Sequence, residues 1–487
     1  MSLPSSVGLP NEMMLGNLDY SLPPDAKSYS IKVQPSNISS VTTSFSTGTA
    51  TGTALDITFP SQNIIFDLPA GASPSQFLDN RFTTLNFRMN VAVSGTAGAS
   101  CGIASGYLRS HANSFFDRMY ITSQNGQIIE DITEYSLVND TLCALQMNNS
   151  VKDGVATQYG FSSNTGIESQ GHALAIFAGR DLATGNGETH SYSVPLLSGS
   201  IGCLSDRFLN IGRTSKLQVV LQTASVLPLT IVTGATVTNA STISVTLTDF
   251  SLQCEYIDIG LNALKMLDQT LVDGKSYIHG VTYRTSTATL PATSGSTSLL
   301  AGIRASSVKS LFARFVDGGA VSTTNSVNGK FDSKNPNINN IAYNIGGIRY
   351  PNVGINVLLN PSQAFRETQM AIGSFNNSQF QSSIPPTQYC KLSAGGTAQG
   401  LAVSGTQEYS WNLGSDPAKQ SQFIFGENVE VCARRGLLSG LNCTSAPIFV
   451  EMNIASAPTN THTMYVTAML DQVLIHDINS GDISVRI

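Results

Sequence analysis

Apolar side chains recur at every second position over much of this chain. In Arg81–Ser94, residues Leu85, Phe87, Met89, Val91 and Val93 keep the period of a strand with one face in a core. The runs Ala54–Phe59 and Asn63–Leu68 precede it. Ser114–Glu130 follows, with Asn125-Gly126 at its turn. Asn-Gly predicts a type I′ hairpin, because both central residues of that turn need positive φ. A helical period occurs in two short places. Asp131–Gln146 sets Tyr135, Val138, Leu142 and Leu145 on one face, with Asp131 as N-cap and Glu134 at capping-box spacing. Asn360–Gly373 begins with an Asn cap and Pro361 and stops at glycine, with Phe365, Met370 and Ile372 as its buried side. Such helices are expected to plug a barrel end or pack against a neighbour.

The phrases repeat. LLSG (Leu196–Gly199), LQVVLQTAS (Leu217–Ser225) and SLQCEYIDI (Ser251–Ile259) return in the same order as LLSG (Leu437–Gly440), PIFVEMNIAS (Pro447–Ser456) and AMLDQVLIHDI (Ala468–Ile478). Ser307–Gly319, closing on Asp317-Gly318, reads as a fourth match, to Ser114–Glu130. Fixed order with loops of unequal length predicts two copies of one β fold. The expected division is an extended arm over 1–53, a first β domain over 54–260, a linker over 261–275 and a second β domain over 276–487. The arm carries Pro4, Pro10, Pro23, Pro24 and Pro35 and the low-complexity stretch Ser39–Thr53. That composition has too little apolar surface to fold alone, so the arm is expected to be flexible or laid on a neighbour. Each copy has room for about eight strands of ordinary length. The fold class is therefore all-β with a few short helices. Eight antiparallel strands in two facing sheets is a jelly roll, which composition alone does not separate from another sandwich. The expectation of two tandem eight-stranded jelly rolls rests partly on the resemblance given below.

Composition narrows the partners. Only 12% of the 487 residues are charged while 41% are hydrophobic, which excludes charge-driven disorder over most of the length. A net charge of −6, with Lys27 the single cation of the first thirty residues, argues against a phosphate-gripping surface. Sequence-specific nucleic-acid binding is not expected. The seven cysteines (Cys101, Cys143, Cys203, Cys254, Cys390, Cys432 and Cys443) form no CxxC pair and read as small buried hydrophobes of a reducing compartment. No apolar run approaches the ~20 residues that span a bilayer. The first residues lack a signal peptide's basic and apolar regions. Folding in a cytosol or nucleus is expected.

A search for chemistry finds no active site. His111, His172, His190, His279, His462 and His476 fall into no metal-binding spacing, and His476 takes the place of Ile257 in the repeat. There is no GxSxG elbow, Walker loop or GxGxxG, and Gly185-Asn186-Gly187 reads as a loop tip. Carboxylates are sparse and isolated. The Asn-x-Ser/Thr triplets at Asn37, Asn139, Asn148, Asn239, Asn376 and Asn442 are expected to stay unmodified. Arg434-Arg435 reads as a subunit contact or a solvated turn, and Trp411 as a packing anchor. Catalytic, cofactor-binding and metal residues are each expected to be none, and the chain is expected not to be an enzyme.

The order of several phrases resembles one family. They are SYSIKVQPSNISSV (Ser28–Val41), QFLDNRFTTLNFRMNV (Gln76–Val91), SFFDRMYITSQNGQIIEDITEYSLVNDTL (Ser114–Leu142), YSVPLLSGSIG (Tyr192–Gly202) and SSVKSLFARF (Ser306–Phe315). The family is the double jelly-roll major capsid proteins of small tailless icosahedral DNA viruses, the Polinton-like virus, virophage and adintovirus group. The resemblance implies two jelly rolls side by side. Three such chains would make a homotrimer, a pseudo-hexagonal capsomer that tiles an icosahedral shell around a DNA genome. It implies neighbouring capsomers, penton and minor capsid proteins, and in some members an internal membrane as partners, with the virion as location. Gly95–Tyr107 and Ser286–Thr297 are expected as modest outer loops. Low charge and abundant small polar residues suit surfaces that meet other copies. A single jelly roll with a projecting domain would have unlike halves and a basic arm, and both fit badly. The reading from another class is a secreted or surface β-sandwich adhesin or carbohydrate-binding protein. It would favour a signal peptide, paired cysteines or aromatic platforms, none of which the sequence offers.

Overall fold

Strand formation follows the alternation. In a computed structural model, Leu85, Phe87, Met89 and Val91 are each at most 1% exposed. The structure describes residues 26–46, 59–71, 73–94, 103–108, 110–161, 175–178, 187–205, 207–226, 228–233, 242–269, 271, 273–318, 329–375, 377, 379–384, 389, 402–403, 406–407, 422–431 and 438–487.

The first half contains β1 (Lys27–Val33), β2 (Ser40–Ser46), β3 (Asn63–Leu68), β4 (Gln76–Ser94), β5 (Ile103–Leu108), β6 (Phe116–Ser123) and β7 (Ile128–Thr133). Helices α1 (Tyr135–Gln146), α2 (Asn149–Gly154) and α3 (Ala156–Tyr159) follow. Then come β8 (Ala175–Ala178), β9 (Gly187–Pro195), β10 (Leu217–Thr223), β11 (Leu229–Thr233) and β12 (Thr242–Asp258). Helix α4 (Gly260–Asp268) leads into the second half. There the strands are β13 (Lys275–Leu290), β14 (Gly295–Ala301), β15 (Val308–Asp317), β16 (Ile338–Ile345) and β17 (Ile348–Asn356). After α5 (Pro361–Ile372) come β18 (Ala402–Val403), β19 (Thr406–Gln407), β20 (Ile424–Asn428), β21 (Ile448–Ile454), β22 (His462–Asp477) and β23 (Ile483–Arg486).

The sheet orders superpose. The first half pairs β1-β12-β4-β9 in one sheet, with β2 also on β12, and β3-β10-β6-β7 in the other. The second half pairs β13-β22-β15-β20, with β23 also on β22, and β14-β21-β16-β17. Counting β1 and β2 as one broken strand, each half places its first, eighth, third and sixth strands in one sheet. Its second, seventh, fourth and fifth form the other. Two interlocked Greek keys of this order make a jelly roll, so the chain is a double jelly roll. The small sheet β11-β5-β8 is built from three insertions of the first half alone. In the first core, the Phe87 ring meets Phe115, Phe116, Tyr192 and Phe250 at 5.9, 5.4, 5.3 and 6.0 Å. Such pairs add about 0.5–1.5 kcal/mol each beyond their buried area. The second core stacks Tyr343 on Phe425 at 5.5 Å, and the Tyr343 hydroxyl donates to the Phe425 carbonyl at 2.9 Å.

Several expectations are corrected. Within the expected arm, Lys27–Ser46 is not free chain: β1 and β2 pair in register with β12, and Val41, at 1% exposure, anchors the Ser/Thr-rich stretch in the core. Ladder hydrogen bonds supply what side-chain area lacks. The linker contains α4. The Asn125-Gly126 hairpin has positive φ at Gly126 alone, with Gly126 N donating to the Ser123 carbonyl. That is a longer loop than type I′. The capping box does not form, because Asp131 lies in β7, bound to Arg118 at 2.7 Å, and Glu134 begins α1 in the left-handed region at φ 55°. Helix α5 covers the expected stretch and stops at Gly373 at φ 76°, but the Asn360 side chain makes no capping hydrogen bond, and Ala364, Thr368, Ala371 and Ile372 line the buried side while Phe365 and Met370 are half-buried. Ser286–Leu290 and Gly295–Thr297 are strand, not loop. Of the other expected outer loop, Ile103–Tyr107 belongs to β5, and 95–102 lie outside the described residues. The fourth repeat match fails, since Ser307–Gly319 holds β15, the counterpart of β4, whereas β6 and β7 correspond to β16 and β17. The other three matched phrases fall on corresponding turns and strands.

Candidate assembly interface

Each LLSG turn is held by a buried carboxylate. In the first, Glu130 on β7 accepts from Ser198 Oγ at 2.5 Å, Gly199 N at 2.9 Å and Ser200 N at 3.2 Å. Burial pushes its carboxyl above the usual range despite these donors. In the second, Asp471 on β22 accepts from Ser307 Oγ at 2.6 Å, Ser439 N at 2.9 Å and Gly440 N at 3.3 Å, with Lys309 Nζ 3.5 Å away. The two turns face different surfaces. A Cβ on Gly440 would stand 2.5 Å from the Val308 carbonyl of its own half. A Cβ on Gly199 would stand 2.5 Å from the Val281 carbonyl of the other half, and one on Gly280 would lie 2.3 Å from the Gly199 carbonyl. Glycine is required where these two backbones touch. The first turn is thus part of a junction between the halves.

That junction is polar and largely buried. Arg314 on β15, 2% exposed, donates to Asp140 Oδ2 of α1 at 2.7 Å, to Thr141 Oγ1 at 3.0 Å and to the Phe331 carbonyl at 3.1 Å. Burial alone would raise the Asp140 carboxyl, but Arg314 and the Ser110 hydroxyl outweigh it and hold it below the usual range. Lys330 Nζ lies 2.6 Å from Asp117 and 2.8 Å from Glu134. Burial would lower the ammonium, and these two carboxylates reverse that and raise it. Gln472 Nε2 donates to Ser200 Oγ at 3.1 Å. Strand β7 lies against β13, with Thr133 Oγ1 donating to the Thr285 carbonyl at 3.4 Å. Every residue from Tyr135 to Leu145 in α1 is buried. Removing one member of a buried ion pair costs about 3–5 kcal/mol, because the other is left charged and dry. The geometry fixes one half against the other and offers no nucleophile and base aimed at a cleft.

The residues weighed in the sequence are dispersed. His111 is buried, and desolvation lowers it to about 4. His476 is buried against the first half, its Nε2 3.3 Å from the Arg213 carbonyl, and His462 Nδ1 is 2.9 Å from the Asn460 carbonyl. His190 and His279 lie on β9 and β13, and His172 is outside the described residues. Among the described residues no group of three His, Cys, Asp or Glu is placed to hold a metal, and no helix is long and apolar enough to cross a membrane. Cys143, Cys254 and Cys443 are buried thiols and Cys203 is exposed. Cys101, Cys390, Cys432, Trp411, Arg434 and Arg435 are outside the described residues, as are Asn239 and Asn376. Asn139 is buried in α1, and Asn148 caps α2 by accepting from Val151 N at 2.8 Å. Sequence reading passed over Arg314, Asp140, Lys330 and Glu130. The available signal was a charge set inside an apolar run, as in LFARF and LVNDTL.

No protein-family model and no curated protein matches the chain. Solved structures do. The cryo-EM structure of the Sputnik virophage matches at TM-score 0.50 and 12% identity, over 92% of this chain and 88% of that one. The Faustovirus major capsid protein matches at 0.49 and 10%, over 92% and 90%. The mavirus major capsid protein matches at 0.48 and 12%, over 100% and 95%. The Sputnik likeness shows that the fold is shared along almost the whole chain.

Proposed function

We propose that the chain is a structural major capsid protein that trimerises into pseudo-hexagonal capsomers and tiles an icosahedral shell around a DNA genome. The observation that carries this reading is a pair of jelly rolls of identical strand order, locked side by side through a buried polar junction. Two like barrels at a fixed angle let three chains present six similar units, which approximates sixfold packing. The shared fold with the Sputnik virophage structure supports it. The shell units are the two jelly rolls, β1–β12 and β13–β23, joined by α4. The chain has no enzymatic role. Penton and minor capsid proteins occupy the positions that hexagonal units cannot fill, and a chain of net charge −6 leaves genome contact to other proteins or to an internal membrane. The protein is made in the host cytoplasm or nucleus and resides in the virion.

Electron microscopy of the purified protein tests this reading. Three-lobed particles of hexagonal outline that close into shells on concentration are expected. Separate two-lobed monomers at every concentration would overturn it.

A further inference from the structure

Both halves repeat Lys-Ser-Tyr where their first strand begins, Lys27–Tyr29 in β1 and Lys275–Tyr277 in β13. The register repeats with it. Lys27 pairs with Asp258 and Ser28 with Ile257, while Lys275 pairs with Asp477 and Ser276 with His476. One ladder step thus holds isoleucine in the first half and histidine in the second. Ile257 is half-buried, whereas His476 is 0% exposed. The first half supplies the cover: His476 Nε2 lies 3.3 Å from the Arg213 carbonyl and 3.5 Å from Thr214 Oγ1. Beside the ring, Ser215 N donates to the Gly481 carbonyl at 3.0 Å, and Arg213 pairs with Asp268 of α4 at 2.7 and 2.8 Å. This is the α4 end of the junction, apart from the Arg314–Asp140 pair on α1.

The two ring nitrogens are not equivalent. Nε2 carries the hydrogen that it donates to the Arg213 carbonyl, which leaves Nδ1 as the bare acceptor. Nδ1 is buried without a partner. A second proton there creates an N–H with no acceptor and a charge out of water. The charged groups on the elements packed around the ring are Arg213 with Asp268 of α4, Asp477 next along β22, Lys275 on β13 and Asp482 on β23. Desolvation lowers the imidazole and the Arg213 charge adds to that, while the Arg213 carbonyl and Asp477 oppose it only in part.

We propose that His476 is an acid-sensitive latch, which holds the two rolls together at their α4 end while neutral and releases them when protonated. A histidine lowered by the fold contributes fully above pH 6.5, and its contribution fades as pH falls through the folded value. His111, lowered to about 4, acts outside the mildly acidic range. The latch belongs to the single chain and does not depend on assembly.

Hydrogen exchange of the full chain, read by mass spectrometry between pH 7.5 and 5.0, tests the latch. Protection of 211–216 is taken relative to β10 in the same sample, which cancels the pH dependence of the exchange chemistry itself. In wild type this ratio should fall by up to about tenfold per pH unit below 6.5. His476→Gln, which keeps a donor for the Arg213 carbonyl, and His476→Ile, the first half's residue, should each hold it level. A level ratio in wild type, or an equal fall in wild type and a folded variant, overturns the latch. Should neither variant fold, exchange at the histidine C2 position in wild type decides. His476 must then titrate below 6.5 and together with the opening, and any other midpoint overturns the proposal.

Discussion

Strands β7 and β17 occupy the same edge of the same sheet in two copies of one fold and begin alike, with Ile128 and Ile348 both more than half exposed, yet Ile129, Glu130 and Ile132 of β7 are then buried while Val353 of β17 is 80% exposed. Neither propensity nor strand order explains this, because both are shared. What differs is the neighbour. The first half's LLSG turn and α1 reach across to β13, β15 and Lys330, whereas the second half's LLSG turn stays on its own Val308. Duplication supplied equivalent rolls, and the loops and helices between strands made one pair of edges internal.

The largest way to disturb this asymmetry is to strip the junction of one charge. Asp140→Ala should cost about 3–5 kcal/mol by chemical denaturation, since Arg314 is left buried without its carboxylate. The double change D140L/R314M should recover most of that loss. A smaller and more pointed comparison uses the glycines. Gly280→Ala and Gly440→Ala each set a Cβ against backbone and should cost roughly 1–3 kcal/mol. Only the former should also raise protease sensitivity at 269–274, between α4 and β13, because only it pries the halves apart.

Acidity should separate the halves as well. Glu427 on β20 is raised to about 8 by burial and by the nearby Glu367 charge, against 4.5 unperturbed. Its neutral form is favoured in the fold, so its contribution is full below pH 4.5 and fades as pH climbs through about 8. His111 in the first half is lowered to about 4 from 6.5, so its contribution is full above pH 6.5 and fades as pH falls through about 4. Melting curves of Glu427→Gln should gain on wild type as pH rises from 5 to 8. A constant difference across that range would contradict the assignment. The smallest stability effect is expected from Val353→Asp, within about 0.5 kcal/mol for the isolated chain, because the residue touches little there.

Much of the fold was legible because alternation and order survive duplication. The LLSG turns, β10 with β21, and β12 with β22 correspond as their phrases do. The fourth phrase misled because short apolar runs that end in a turn look alike, and β15 resembles β6 as readily as β4. Local motifs also yielded to pairing: Asp131 is a plausible helix cap in isolation, but β7 and Arg118 claim it. Strands β1 and β2 were hidden because Ser and Thr alternate as well as valine does while adding little apolar signal. The junction was least legible. Arg314 and Asp140 are 174 positions apart, and only folding shows that each is the other's partner.

A cryo-electron-microscopy map of the purified, assembled protein tests the central claim most directly. The account predicts six barrels around a threefold axis, paired within each chain through β7 and β13. Barrels paired within the chain through other elements, or an assembly without threefold symmetry, would contradict it.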